Sequence, residues 1–339
     1  MFEHISDAIK APALIRLDER LVVARFETMK VYSALVAVQQ LLDTGAVDQH
    51  STLVDSSSGI YAYALALACH KHRLKCHIVA SYAVDKMLMA QLQILGATVE
   101  RAPQSASLKL DQNFRVQRIR ELLAADPQMH WMRQYHDDIH YCGYKPVAEM
   151  ICLALGTENL SIVGAVGSGC STAGIVQALR TRNNGVRLLG IQPFGSVTFG
   201  CQHIEDPGIL IAGIGSSIPF RNVRHALYDE LHWVSFSHGL SGAVALLREH
   251  GIFAGLSSGC CYLVARHEAD HRPDQTVLFI SPDTGHRYAE TVFMRHAEAM
   301  DIQSLAPHWA SCNDDLLLPW SAMNWRRQPS PTHLPEEHT

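Results

Sequence analysis

The stretch Ser161-Ile162-Val163-Gly164-Ala165-Val166-Gly167-Ser168-Gly169-Cys170-Ser171, continued from Thr172 to Leu179, decides the fold. Its first six residues are apolar or small without alternation, which suits a strand buried on both faces of a parallel sheet. A glycine- and serine-rich turn follows, and then apolar residues at helical spacing. A second continuous apolar run, Val186 to Ile191, comes next. Strand, turn, helix and strand make a βαβ unit. The same alternation extends outward on both sides. Upstream, strand patterns at Leu21–Ala24, Thr52–Val54, Cys76–Val79 and Thr98–Glu100 alternate with helical patterns at Tyr32–Leu42, an alanine-rich stretch through His72, and Val84–Leu95. Downstream, a helix from Gly242 to His250 precedes a strand from Thr276 to Ile280. The fold class is therefore α/β, with mostly parallel sheets flanked by helices. From about Trp320 the composition turns to Arg, Pro, His and Glu, which predicts a flexible tail.

The chain has 339 residues, enough for two domains, and 47% hydrophobic and 18% charged residues fit a soluble globular enzyme. A net charge of −5 without any basic run argues against a nucleic-acid surface. No stretch of eighteen apolar residues predicts a membrane span, and the start MFEHISDAIK lacks the apolar centre of a signal peptide. Nine cysteines, an odd number without a CxxC pair, fit reduced thiols and a cytoplasmic location. The twenty histidines form no HExxH or Cys/His knuckle, so no metal is expected.

Three turns are built from Gly and Ser: Ser57-Ser58-Gly59, Gly167 to Ser171, and Ser257-Ser258-Gly259. Read as strand-to-helix turns, they lie at the carboxyl ends of strands, where ligands of parallel sheets bind. The middle one can turn its backbone N–H groups toward a phosphate at the head of the following helix. A tight turn of small residues without a ligand explains the same pattern on steric grounds. A dinucleotide site does not, because the next strand ends Gly190-Ile191-Gln192-Pro193 without the acid that would hold a ribose.

The order of these segments resembles the fold-type II pyridoxal-5′-phosphate (PLP) enzymes, especially the cysteine synthase (O-acetylserine sulfhydrylase) and cystathionine β-synthase group. The family's lysine segment appears as Thr28-Met29-Lys30, its asparagine loop as Ser57-Ser58-Gly59-Ile60-Tyr61-Ala62, and its phosphate loop as Gly167-Ser168-Gly169-Cys170-Ser171. Gln134-Tyr135, Gln192 to Ser196, Gly213-Ile214-Gly215, Leu256 to Gly259 and Pro282 to Tyr288 follow in family order.

The resemblance implies a two-domain, tryptophan synthase β-like fold. Residues 26–140 would form a smaller N-terminal α/β domain, and 1–25 plus 141–318 a larger PLP-binding one, with 319–339 as the tail. It implies Lys30 as the catalytic and cofactor-bearing residue, with Gly167, Ser168, Gly169, Cys170 and Ser171 on the phosphate. Ser257, or Ser258 in another register, would face the pyridine nitrogen, unless Ser257 is simply a helix N-cap. Ile60 falls where the family's asparagine meets the cofactor's 3′-oxygen. Thr28, Ser57, Ser58, Gly59, Tyr61 and Gln134 fall on the substrate side.

The implied activity is β-elimination or β-replacement through an aminoacrylate, on serine, an O-acetyl or O-phospho serine, or cysteine. The implied partner is a small amino acid and the implied assembly a homodimer. Two departures stand out: Ile60 and Tyr61 replace Asn and Thr, and the stretch before the lysine is shortened to Phe26-Glu27-Thr28-Met29, with Val31-Tyr32 after it. They motivate a second reading, a catalytically degenerate binding or regulatory protein that keeps the fold.

Overall fold

The computed structural model describes residues 1–104, 108–208 and 213–329. The chain parts into two compact units, Met1–Ala11 with Thr28–Gly143, and Pro12–Glu27 with Tyr144 onward. In chain order, helix α1 (Ile5–Ile9) precedes strands β1 (Ala13–Arg16) and β2 (Leu21–Arg25). Then come α2 (Lys30–Asp43), β3 (Thr52–Ser56), α3 (Ile60–His72), β4 (Lys75–Ala80) and α4 (Lys86–Ile94). Strand β5 (Thr98–Arg101), α5 (Leu108–Ala125) and β6 (Met129–Trp131) complete this half.

The smaller unit is built on a four-stranded parallel sheet in the order β5-β4-β3-β6. Helix α3 is apolar almost all round because it is buried almost all round, from Tyr61 to Cys69. It stops at Arg73, which adopts a left-handed backbone with φ 57°. Helix α4 begins where the Asp85 carboxylate accepts from the Leu88 N–H at 2.9 Å, slightly later than the apolar pattern predicts.

The larger unit adds α6 (Lys145–Leu155), β7 (Leu160–Ala165), α7 (Cys170–Arg180), β8 (Arg187–Gln192), β9 (Glu230–Val234) and α8 (Phe236–His250). It ends with α9 (Leu256–His271), β10 (Thr276–Ser281), β11 (His308–Trp309) and β12 (Trp320–Asn324). Its eight strands run β1-β2-β10-β7-β8-β9-β12-β11. The five from β2 to β9 are mutually parallel, while β1 runs antiparallel to β2, β12 antiparallel to β9, and β11 parallel to β12. Val163, Leu189, Ile191, Phe279 and Tyr262 are fully buried in one core. Each such side chain contributes about 1.5–3 kcal/mol of burial free energy.

The structure differs from the sequence reading at several points. Residues 1–11 group with the smaller unit, held by Asp7 on α1, which pairs with Lys71 on α3 at 2.8 Å. Of the expected flexible tail, Trp320–Asn324 is an ordered strand: Trp320 is 1% exposed and its indole N–H donates to His232 at 3.1 Å. Residues 330–339 of that tail lie outside the described residues. Finally, Ser257-Ser258-Gly259 is not a turn but the first turn of α9, whose N-cap is Gly255. Ser257 is thus not the N-cap.

Candidate active site

The predicted site residues fall into two clusters, one in each unit. In the smaller unit Lys30 is the first residue of α2 and is half-buried. Its positive charge reaches His140, which is fully buried. The imidazole Nε2 lies 2.7 Å from the Met132 carbonyl, and Nδ1 lies 2.9 Å from the Ser33 hydroxyl. A carbonyl only accepts, so Nε2 carries the proton and Nδ1 accepts from Ser33. Burial first, and the Lys30 charge after it, push the His140 pKa down to about 4. The group beside the lysine is therefore a neutral imidazole. The Tyr61 ring packs edge-on against it, 5.6 Å between centroids. Thr28 is 5% exposed, and its hydroxyl is buried without a partner among the described residues.

The loop Ser57-Ser58-Gly59 joins the carboxyl end of β3 to α3. Ser57 Oγ accepts from the N–H groups of Gly59 at 3.4 Å and Ala62 at 3.2 Å, so that hydroxyl helps to start the helix. Ser58 Oγ accepts from the Ser81 N–H. Ile60 is half-buried at the first position of α3 and offers no polar atom, unlike the asparagine expected there. Gln134 is 4% exposed and therefore not a surface glutamine. Its Nε2 donates to the Ser56 carbonyl at 3.0 Å, and its backbone N–H to Asp55 Oδ2 at 3.1 Å.

Sequence reasoning passed over Asp55. Its carboxylate also accepts from the Ser56 N–H at 2.7 Å and the Trp131 indole at 3.1 Å. Burial pushes its pKa up to about 6, against the pull of these N–H groups and of Arg115.

In the larger unit the Gly167–Ser171 segment runs from β7 into α7. A Cβ on Gly167 would meet the Gly213 carbonyl oxygen at 2.3 Å. Gly169 has φ +82°, and a Cβ there would meet the Asn222 carbonyl oxygen at 2.5 Å. Both glycines are thus demanded by close backbone approach. Helix α7 has Gly169 as its N-cap, which has no side chain to cap with; the Cys170 N–H donates to Ser168 Oγ at 3.5 Å, and Cys170, Ser171 and Thr172 are buried. A buried helix start without a side chain at its N-cap suits an anion such as phosphate. The turn is backed by Thr172, whose hydroxyl lies 2.8 Å from the Tyr228 hydroxyl and donates to the Gly169 carbonyl at 3.0 Å.

Other motif segments gather beside this turn. Gln192 donates to the Val166 carbonyl at 2.6 Å, Ser196 donates to Gln192 at 2.8 Å, and the Gly215 N–H donates to the Val166 carbonyl at 2.8 Å. Ser257 and Ser258 are both buried at the start of α9. The Ser258 hydroxyl accepts from the Ser281 hydroxyl at 3.0 Å. The Asp283 carbonyl accepts from the Gly255 N–H at 3.3 Å, so the Pro282 to Tyr288 motif lies against the head of the same helix. None of the nine cysteines is in a disulfide, and burial pushes Cys260 up to about 12.

Each unit carries residues of the kind PLP requires: the smaller an amine at the head of α2, the larger a buried helix start for the phosphate and a neutral hydroxyl for the ring nitrogen. Comparison with known proteins agrees. The model of the family "Pyridoxal-phosphate dependent enzyme" matches residues 9–283. A cysteine synthase of Helicobacter pylori is 31% identical over 251 residues, 72% of this chain and 78% of the relative. An N-(2-amino-2-carboxyethyl)-L-glutamate synthase of Cupriavidus metallidurans is 30% identical over 279 residues, 78% of this chain and 79% of the relative. Among solved structures, the O-acetylserine dependent cystathionine beta-synthase of Helicobacter pylori superposes with a TM-score of 0.77 at 24% identity. It covers 86% of this chain and 98% of that one.

Proposed function

Given that this chain belongs to the pyridoxal-phosphate-dependent enzymes, we propose that it catalyses β-replacement on a serine derivative, with Lys30 as the residue that carries the cofactor and moves the substrate's α-proton. Bound there, PLP supplies an electron sink for the charge left at Cα. The protein's own groups supply the rest. The N–H groups at the head of α7 hold a phosphate, and Ser257 offers the pyridine nitrogen a neutral hydroxyl, which leaves that nitrogen unprotonated and favours replacement over transamination. His140, beside Lys30, is a neutral imidazole and puts no opposite charge against the amine that would move the proton at Cα.

One observation carries the substrate side of this reading. Gln134 and the Ser57–Gly59 loop leave the carboxyl ends of the adjacent strands β3 and β6 and share the supports Asp55 and Ser56. Together they make a cradle of N–H and hydroxyl donors suited to an α-carboxylate. Ile60 offers the cofactor no hydrogen bond, a loss of about 1 kcal/mol. With Tyr61 beside it, the wall differs from that of the cysteine synthase group, which supports a different nucleophile on the same donor chemistry. The degenerate reading is not favoured, because the relatives at 30% identity and above are synthases. A small amino acid as substrate and assembly as a homodimer rest on the same kinship. Among the described residues no helix is long and apolar enough to cross a membrane.

Rapid-scan spectra of the PLP-loaded protein with L-serine, O-acetyl-L-serine, O-phospho-L-serine and L-cysteine test the proposal. One donor should change the visible spectrum and release its β-substituent, and Lys30→Ala should abolish both. A protein that stays colourless after incubation with PLP would overturn it.

A further inference from the structure

Behind the Ser57–Gly59 loop runs a continuous chain of polar contacts, buried except where it passes through the half-buried Ser58 and Ser81, all within the smaller unit. The Ser81 N–H donates to Ser58 Oγ at 2.6 Å, and the Ser81 hydroxyl donates to Asp111 Oδ1 at 3.0 Å. Asp111 Oδ2 accepts from Arg115 Nε at 2.9 Å, and Arg115 Nη1 donates to Ser56 Oγ at 2.7 Å. The Ser56 N–H reaches Asp55, whose second oxygen holds the Gln134 N–H at 3.1 Å, while the Gln134 amide returns to the Ser56 carbonyl at 3.0 Å. Asp55, Asp111 and Arg115 are 1%, 5% and 8% exposed.

The chain starts on one candidate carboxylate-binding residue, Ser58, and ends on the other, Gln134. Between them it crosses α5. Three buried charges are an expensive way to gain stability, since the desolvation of an ion pair consumes most of its attraction. What such a network does supply is a fixed geometry, because every donor and acceptor in it has one partner arrangement.

We propose that Asp55, Asp111 and Arg115 are positioning residues that lock Ser58 and Gln134 in register, and so set a preference for a free α-carboxylate over a neutral group in the amino-acid substrate. The inference rests on the reading of this loop as the substrate-carboxylate site.

The test compares L-serine with L-serinamide, binding to the PLP-loaded protein by titration calorimetry. The wild type should prefer L-serine. Arg115→Gln should reduce the preference about tenfold, the order expected for losing a hydrogen bond to a charged group. Ser81→Ala deletes the partly exposed link between Ser58's support and Asp111, together with an exposed turn contact from the Ala83 N–H, and should reduce the preference about threefold in a protein that melts close to the wild type. A purely structural role would shift the melting temperature and leave the ratio alone. If the wild type binds neither compound, the carboxylate-site reading itself falls. If the wild type prefers L-serine and Ser81→Ala keeps the full preference, while Arg115→Gln keeps it or fails to fold, the strut alone is overturned.

Discussion

Replacing Asp55 by Asn measures what the smaller unit spends on a buried charge. Burial raises this carboxyl from 3.8 to about 6, and a displacement of that size corresponds to about 3 kcal/mol. The folded protein binds the proton more tightly than the unfolded chain does. The contribution is therefore fully present below pH 3.8 and is lost as pH rises to about 6. Asparagine does not ionise, so the variant lacks this loss. His140 works in the opposite sense: its folded pKa is lowered from 6.5 to about 4, so it adds stability as pH rises across that window. It does so in both proteins and drops out of the difference.

At low pH the variant starts at a deficit. The N–H groups of Ser56, Gln134 and Trp131 all point at the carboxylate, and an amide has one oxygen to receive them. An unsatisfied buried donor costs about 1–3 kcal/mol. Urea unfolding followed by circular dichroism at pH 4 and pH 7 should show this deficit shrinking by about 3 kcal/mol as pH rises. A deficit that stays flat or grows with pH would refute the reasoning. It would mean that the three N–H donors and Arg115 hold the anion more strongly than burial repels it.

Three further outcomes follow from the larger unit. Gly169→Ala places a Cβ 2.5 Å from the Asn222 carbonyl at φ +82°. Backbone strain of about 1–2 kcal/mol and a similar overlap cost should lower the melting temperature and weaken PLP binding in a fluorescence titration. Tyr228→Phe removes the hydroxyl 2.8 Å from Thr172 but leaves Thr172 bonded to Gly169. Thermal melts should show a loss of about 1 kcal/mol, with little change in PLP affinity. Truncation after Leu318 removes β12, including the 1%-exposed Trp320, and opens the edge of β9. Losing that indole alone costs about 3–5 kcal/mol, and light scattering should report aggregation rather than a soluble protein.

The central parallel strands were legible because burial on both faces leaves a nearly continuous apolar run, as in Ser161–Val166 and Leu188–Ile191. Strand β9 was not. It reads Glu-Leu-His-Trp-Val and carries a buried carboxylate and imidazole. Glu230 is tolerable in the core only because Arg187, on β8, lies 3.1 Å away and His232 lies 2.8 Å away. Strand β12 was missed for a similar reason, since its partner β9 precedes it by most of a domain and nothing local marks it. The helix boundaries shifted where a cap outweighed the apolar pattern, as at Asp85.

Lys30 and the loops were nominated for the candidate site from local order. Asp55 and His140 were not, because what makes them notable lies far away in the chain: Gln134 and Trp131 for one, Ser33 and Met132 for the other.

The pairing of β2 with β10 bears on how a ribosome must make this protein. The strand Leu21-Val22-Val23-Ala24 is wholly apolar, and its partner, beginning at Val277, is synthesised roughly 250 residues later. At typical elongation rates of about 5–20 residues per second, that is an interval of roughly ten to fifty seconds. Until it ends, β2 has only the four-residue β1 beside it, and a two-stranded hairpin is marginal in water. The nascent chain therefore carries a sticky, half-paired ribbon at its leading end for most of translation, the kind of segment that holdase chaperones cover. Expression in cells should depend on them more than the stability of the finished enzyme suggests.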